Sequence, residues 1–179
     1  MVCGRCVMVV AQIFSQEGVH LTSIKLGEVE ITGDLPSEKA TILSQRLKEV
    51  GFEILSDEKT KMVEKIKNIV VQSIHEEEVA EKGNFSDMLS RSIHKDYSYL
   101  SKLFSEMEGI TIEKYIIQQK IEKVKELLVY GEQNLSEIAY AMGYSSVAHL
   151  SAQFKKTTGF NPTTFRKLKD HRRRSLDSI

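Results

Sequence analysis

The chain has no tryptophan, two prolines and two cysteines among its 179 residues. Two cysteines exclude a disulfide-stapled scaffold, which needs several bridges to replace a hydrophobic core. With prolines only at 36 and 162, long tracts are free to be helical. No run of 18 apolar residues occurs, so no membrane span is expected. The opening MVCGRCVMVVAQIF has too little basic charge and no small-residue cleavage site to read as a secretory signal. The compartment expected is the cytoplasm. Also missing are a phosphate-binding glycine loop, a Ser/His/Asp constellation and a thioredoxin-type strand–helix unit around the cysteines. No catalytic residue is assigned, and an enzyme is not expected.

A net charge of either sign is lacking as well, but the two halves differ. Residues 1–80 hold 9 Lys+Arg against 13 Asp+Glu, a net −4; residues 81–179 hold 16 against 12, a net +4. A mild positive excess points to a polyanionic partner for the second half. At 41% hydrophobic residues the chain can bury a core, in one domain or two small ones.

Three regions follow one another. In residues 1–56, CVMVVAQIFSQEG reads as a helix stopping at Gly18. HLTSIKLGEVEIT alternates like two strands joined at Gly27-Glu28. PSEKATILSQRLKEVG reads as a helix stopping at Gly51, and FEIL as a short last strand. Residues 57–80 read as one connecting helix, with Met62, Val63, Ile66, Ile69, Val70 and Ile74 at three- and four-residue steps. The run Glu76-Glu77-Glu78 reads as a solvated face.

Residues 81–170 read as helical throughout and carry a repeat. YLSKLFSEMEG ends at Gly109 and HLSAQFKKTTG at Gly159; both are x-L-S-x-x-F-x-x-x-x-G. A shift of 50 also aligns Asn84 with Asn134, Ser86 with Ser136 and Asp87 with Glu137. A fixed period is the signature of a repeated structural unit. In the second copy, Asn134 and Glu137 form a capping-box start, Gly143 supplies a break, and Ser145 or Ser146 caps a second helix. Two short helices around such a turn make a helix-turn-helix. The first copy has Ile93-His94-Lys95 at the turn, with no glycine there, and Asp96 as the cap. TIEKYIIQQKIEKVKELLVYG joins the copies as one helix whose Glu/Lys pairs read as solvated charge. Asn161-Pro162 opens a last short helix.

The stretch LSEIAYAMGYSSVAHLSAQFKKTTGFNPTTFRK resembles the DNA-binding domain of the AraC/XylS family of bacterial transcription regulators. The resemblance covers about residues 60–170. It implies an all-α domain of two helix-turn-helix units, double-stranded DNA as partner, and RNA polymerase as a further partner. The second helix of each unit would lie in the major groove. With Leu100 and Phe104 inward, Ser98, Ser101 and Lys102 face the bases. In the second copy the positions are Val147, Ala148, His149, Ser151, Ala152 and Gln153. Lys102 suits guanine, whereas Ala and Val read only thymine methyls. Lys155, Lys156, Arg166, Lys167, Lys169, Arg172, Arg173 and Arg174 are the phosphate contacts, the last three in a basic tail over 171–179. Two units in one chain can serve two neighbouring grooves without a dimer, so the oligomeric state stays open.

At the front, Met1-x-Cys3-x-x-Cys6 followed by helix, hairpin, helix and strand is similar to the heavy-metal-associated domains. That likeness covers about 1–56 and implies a small ferredoxin-like α+β domain, with Cys3 and Cys6 as ligands of Cu(I) or Zn(II). In those domains a strand precedes the cysteine loop; here the expectation is an earlier natural start or a loosely folded half. A helix start lowers a thiol pKa, so a redox pair and structural thiols are the alternatives. Two ligands cannot close a tetrahedral zinc site. The functional expectation is a regulator responsive to metal or redox state through Cys3 and Cys6. The alternative is a soft-metal carrier whose helical half binds protein.

Overall fold

The computed structural model describes residues 1, 3–55, 57–75 and 84–167. They form two compact units, Met1–Asn68 and Ile69–Ile179.

In the first unit, α1 (Gly4–Gln16) leads to a hairpin of β1 (Leu21–Lys25) and β2 (Glu28–Ile31), then α2 (Ser37–Glu49). The strands are antiparallel, with Ile24 opposite Val29 and Leu21 opposite Ile31. Their turn is Leu26-Gly27, one residue earlier than the sequence suggests. Gly27 has φ +81°, which favours glycine, and a Cβ there would lie 2.0 Å from Asn68 Nδ2, so the Asn68 amide would have to move. Val10, Ile13 and Phe14 of α1 bury themselves against Leu43 and Leu47 of α2, with Leu21, Ile24, Val29 and Phe52 packed around them. Arg46 ties the two helices together, donating to Glu17 Oε1 at 2.6 Å and Gln16 Oε1 at 2.7 Å.

The expected last strand does not form. Phe52 donates its N–H to the Leu47 carbonyl at 2.8 Å, closing the end of α2. No neighbouring strand pairs with Phe52–Leu55, and a lone extended segment has no ladder to join. Among the described residues the sheet therefore has two strands, and the ferredoxin-like sheet is not observed.

Helix α3 (Glu58–His75) begins in the first unit and ends in the second. It buries Val63, Ile66, Val70, Val71 and Ile74. Met62 and Ile69 of the expected stripe are only half-buried. The acidic run at 76–78 lies outside the described residues.

The second unit continues with α4 (Phe85–Ile93), α5 (Tyr97–Glu108), α6 (Ile112–Tyr130), α7 (Leu135–Ala141), α8 (Val147–Thr158) and α9 (Pro162–Lys167). The later half of α6 packs Ile121, Val124 and Leu128 against Ile138, Leu150, Phe154 and Phe165 of α7, α8 and α9. The repeat extends further than the sequence comparison reached. Phe104 meets Tyr115 at 5.5 Å between ring centroids, and Phe154 meets Phe165 at 5.4 Å. Tyr115 and Phe165 are themselves 50 apart. Thr111 and Asn161, also 50 apart, cap α6 and α9 by accepting from the N–H of Lys114 and Thr164.

On α6 one expectation fails. Its charge pairs are not solvated: Lys125 donates to Glu122 at 2.6 Å with side chains only 10% and 8% exposed. Lys123 and Glu126 pair at 2.7 Å and are largely covered. The helix is flanked by α5, α8 and α9, so little of its circumference reaches water, and charges placed there must pair.

Candidate nucleic-acid interface

Each unit presents its second helix at the surface, and the turns that aim those helices differ. In the second, Asn134 accepts from the N–H groups of Ser136 and Glu137 while Glu137 accepts from the Asn134 N–H, a complete capping box. Gly143 takes φ +69° in the turn. Ser146 then caps α8, accepting from the His149 N–H at 3.1 Å. In the first, His94 takes φ 57° in place of a glycine, and α4 runs nine residues against seven in α7. Histidine tolerates this region at some cost. Asp96 holds the cap position of α5 by its backbone, but its carboxylate accepts no capping bond. That helix is fixed instead by Tyr97, whose hydroxyl donates to Glu113 at 2.5 Å. The bond holds the Glu113 carboxyl below its usual range, while burial and the same carboxylate push the Tyr97 hydroxyl well up.

Lys120 of α6 joins the two units. It donates to the Met142 carbonyl at 2.7 Å, at the end of α7. It also stands 5.8 Å from the Phe85 ring centroid and 5.6 Å from that of Tyr144, within cation–π range of both. Burial holds its ammonium below the ordinary lysine pKa. Tyr144 is pushed up to about 12, also by burial.

The base-facing set divides by exposure. Ser98 and Lys102 are exposed on α5, and Ser101 is half-buried. On α8, Ala148, His149 and Ala152 are exposed; Val147, Ser151 and Gln153 are half-buried. The sequence reading missed Tyr99, 45% exposed on α5. Its signal was present, since the 50-residue shift pairs it with His149. Positive charge is uneven. Lys102 faces Glu106 at 3.9 Å, whereas Lys155 and Lys156 stand exposed with no acid on α8. Lys167 is exposed at the end of α9; Arg166 is exposed too but donates to the Gln133 carbonyl at 2.8 Å, bracing the loop before α7. Lys169, Arg172, Arg173 and Arg174 lie outside the described residues.

Cys3 and Cys6 belong to the other unit. Their sulfurs are 3.4 Å apart at the start of α1, and both thiols are free. The Cys6 N–H hydrogen-bonds Cys3 and holds its thiol below the ordinary cysteine value, against the opposing effect of burial. Among the described residues no cluster of three or more His, Cys, Asp or Glu is placed to hold an ion. The donors therefore fit a two-thiolate ligand pair for a soft ion and not a closed four-ligand zinc site.

Two helix-turn-helix units joined by one 19-residue helix define a double helix-turn-helix domain. Residues 89–168 match the family model described as "Helix-turn-helix domain". The Msm operon regulatory protein of Streptococcus mutans is 33% identical over 70 residues, which is 39% of this chain and 25% of that protein. The melibiose operon regulatory protein of Escherichia coli K12 is 28% identical over 79 residues, 44% of this chain and 26% of that protein. The C-terminal domain of the two-component response regulator yesN from Fusobacterium nucleatum superposes with TM-score 0.51 at 30% identity, covering 58% of this chain and 96% of that structure. Through this half the chain belongs to the AraC/XylS helix-turn-helix family. It spans about a fifth to two fifths of the length of the curated relatives it matches. No described helix is long and apolar enough to cross a membrane.

Proposed function

We propose that this chain is a sequence-specific, DNA-binding transcription regulator of AraC/XylS type, with double-stranded DNA as ligand, RNA polymerase as a further partner, and no catalytic role. The observation that carries the reading is the doubled helix-turn-helix, each with an exposed second helix. In this reading α5 and α8 enter neighbouring major grooves. Ser98, Ser101 and Lys102 face one set of bases; Val147, Ala148, His149, Ser151, Ala152 and Gln153 face the other. Lys155, Lys156, Arg166, Lys167, Lys169, Arg172, Arg173 and Arg174 hold phosphates, which set affinity and register. The close dithiol supports an input to the same regulator, by metal or by redox state, through Cys3 and Cys6. It also motivates the second reading, a soft-metal carrier with a helical interaction module.

Fluorescence anisotropy with genomic DNA fragments at two salt concentrations separates these. With about six phosphates engaged, log K should fall against log salt with a slope of roughly −5. Lys155→Ala with Lys156→Ala should reduce that slope by roughly 2. Replacing both cysteines by serine should leave DNA binding in place. Absence of binding at low salt, with or without added Cu(I), would sink the regulator and leave the carrier.

A further inference from the structure

We infer that His149 is the residue through which the second unit chooses its bases, and that Ser145 and Tyr144 orient its ring so that Nε2 alone faces the groove. The inference rests on the DNA-binding reading above. Among the exposed residues in the first two turns of α8 — Ala148, His149 and Ala152 — only His149 has a hydrogen-bonding head group. An alanine methyl can meet a thymine methyl but cannot separate guanine from cytosine. Ser151 and Gln153 are half-buried, so selectivity at that end of the site falls chiefly on His149.

The ring is held on two sides. Nδ1 lies 3.1 Å from Ser145 Oγ. The Tyr144 ring meets it edge-on, with centroids 5.3 Å apart. Tyr144 is in turn backed by the Lys120 ammonium. The backbone under His149 is fixed as well, because its N–H is the group that Ser146 caps. A ring ordered before DNA arrives loses less entropy on binding than a free one. With Nδ1 engaged, the exposed nitrogen is Nε2. When Ser145 donates to Nδ1, the neutral ring carries its hydrogen on Nε2 and presents one donor there. A single donor in the major groove suits guanine, which sets two adjacent acceptors there, N7 and O6, where adenine sets an amino donor beside its N7.

The test is selection from a pool of randomised duplexes by the full chain, its His149→Ala and Ser145→Ala variants, and a Lys155→Ala/Lys156→Ala control. The unsubstituted chain should enrich a two-part motif. His149→Ala should lose the preference for one guanine in one part, by roughly fivefold, as one hydrogen bond supplies, and keep the rest. Ser145→Ala should weaken the same preference partly. The lysine control should weaken binding with the motif unchanged. Placing 7-deazaguanine at that position should cost the unsubstituted chain the same factor and His149→Ala nothing. A motif identical at every position in His149→Ala overturns the inference while the DNA reading stands. No enriched motif from the unsubstituted chain overturns both.

Discussion

The sharpest chemistry at the scale of single residues lies in three side chains that the fold places beside a partner. Cys3 sits at the start of α1 with the Cys6 N–H directed at it, which stabilises the thiolate. Its alkylation by iodoacetamide, followed by mass spectrometry over a pH series, should reach half its maximal rate at a lower pH than the same cysteine does in the urea-unfolded chain. The Cys6→Ser variant should keep most of this effect, because the leading cause is a backbone N–H. A half-maximum at or above that of the unfolded chain counts against the arrangement. Glu122 and Lys125 on α6 present the opposite case, a charge pair with almost no access to water. Removing one partner leaves a buried charge uncompensated. Glu122→Ala should cost about 3 kcal/mol in urea unfolding, far more than an exposed pair on a helix would. A loss under about 1 kcal/mol would mean that Lys125 swings out to solvent.

At the scale of elements, the two helix-turn-helix units are built alike and secured differently. The second has a full capping box and a glycine turn; the first has a single capping bond, from the Ser86 N–H to Asn84, and a histidine at positive φ. Asn134→Ala removes an acceptor serving two N–H groups and should lower stability by about 1 kcal/mol. Asn84→Ala removes one such bond and should cost less. Thermal unfolding of the two variants side by side decides the order, and equal losses would show that the second bond, from the Glu137 N–H to the Asn134 side chain, adds nothing. The first unit compensates through Tyr97, which ties the start of α5 to the start of α6. Lys120 does the corresponding task for the second, anchoring the end of α7 to the middle of α6.

At the scale of the molecule, the chain has separate cores. Leu43 and Leu47 anchor one with α1, while Phe154 and Phe165 anchor another around α6. Leu43 and Phe154 are both fully covered. Leu43→Ala should destabilise its own unit by about 2–5 kcal/mol and leave DNA affinity within twofold. Phe154→Ala should cost about 3–5 kcal/mol and remove DNA binding, because it supports α8 from beneath. Loss of DNA binding in Leu43→Ala would show that the first unit is needed for it. The repeat, the helix order, the cap Asn134 and, as one of two neighbouring serines, Ser146 were legible in the sequence, because capping and periodicity are local and each residue type carries its own backbone preference. So was the dithiol at a helix start, which needs only a spacing of three. What the sequence could not settle depended on neighbours distant along the chain. FEIL has the composition of a strand, but a strand exists only where another edge is free to pair with it, and here the Leu47 carbonyl takes the Phe52 N–H instead. The charges of α6 look solvated in a helical projection and are buried because α5, α8 and α9 pack around that helix. Lys120 reads as one more surface lysine, and only the tertiary structure brings its ammonium to Met142, Phe85 and Tyr144. The sequence by itself determined the elements and their repetition, since these follow from contacts within a few residues. Which faces meet water, which charges must pair and where Lys120 is anchored were decided only when distant segments came together.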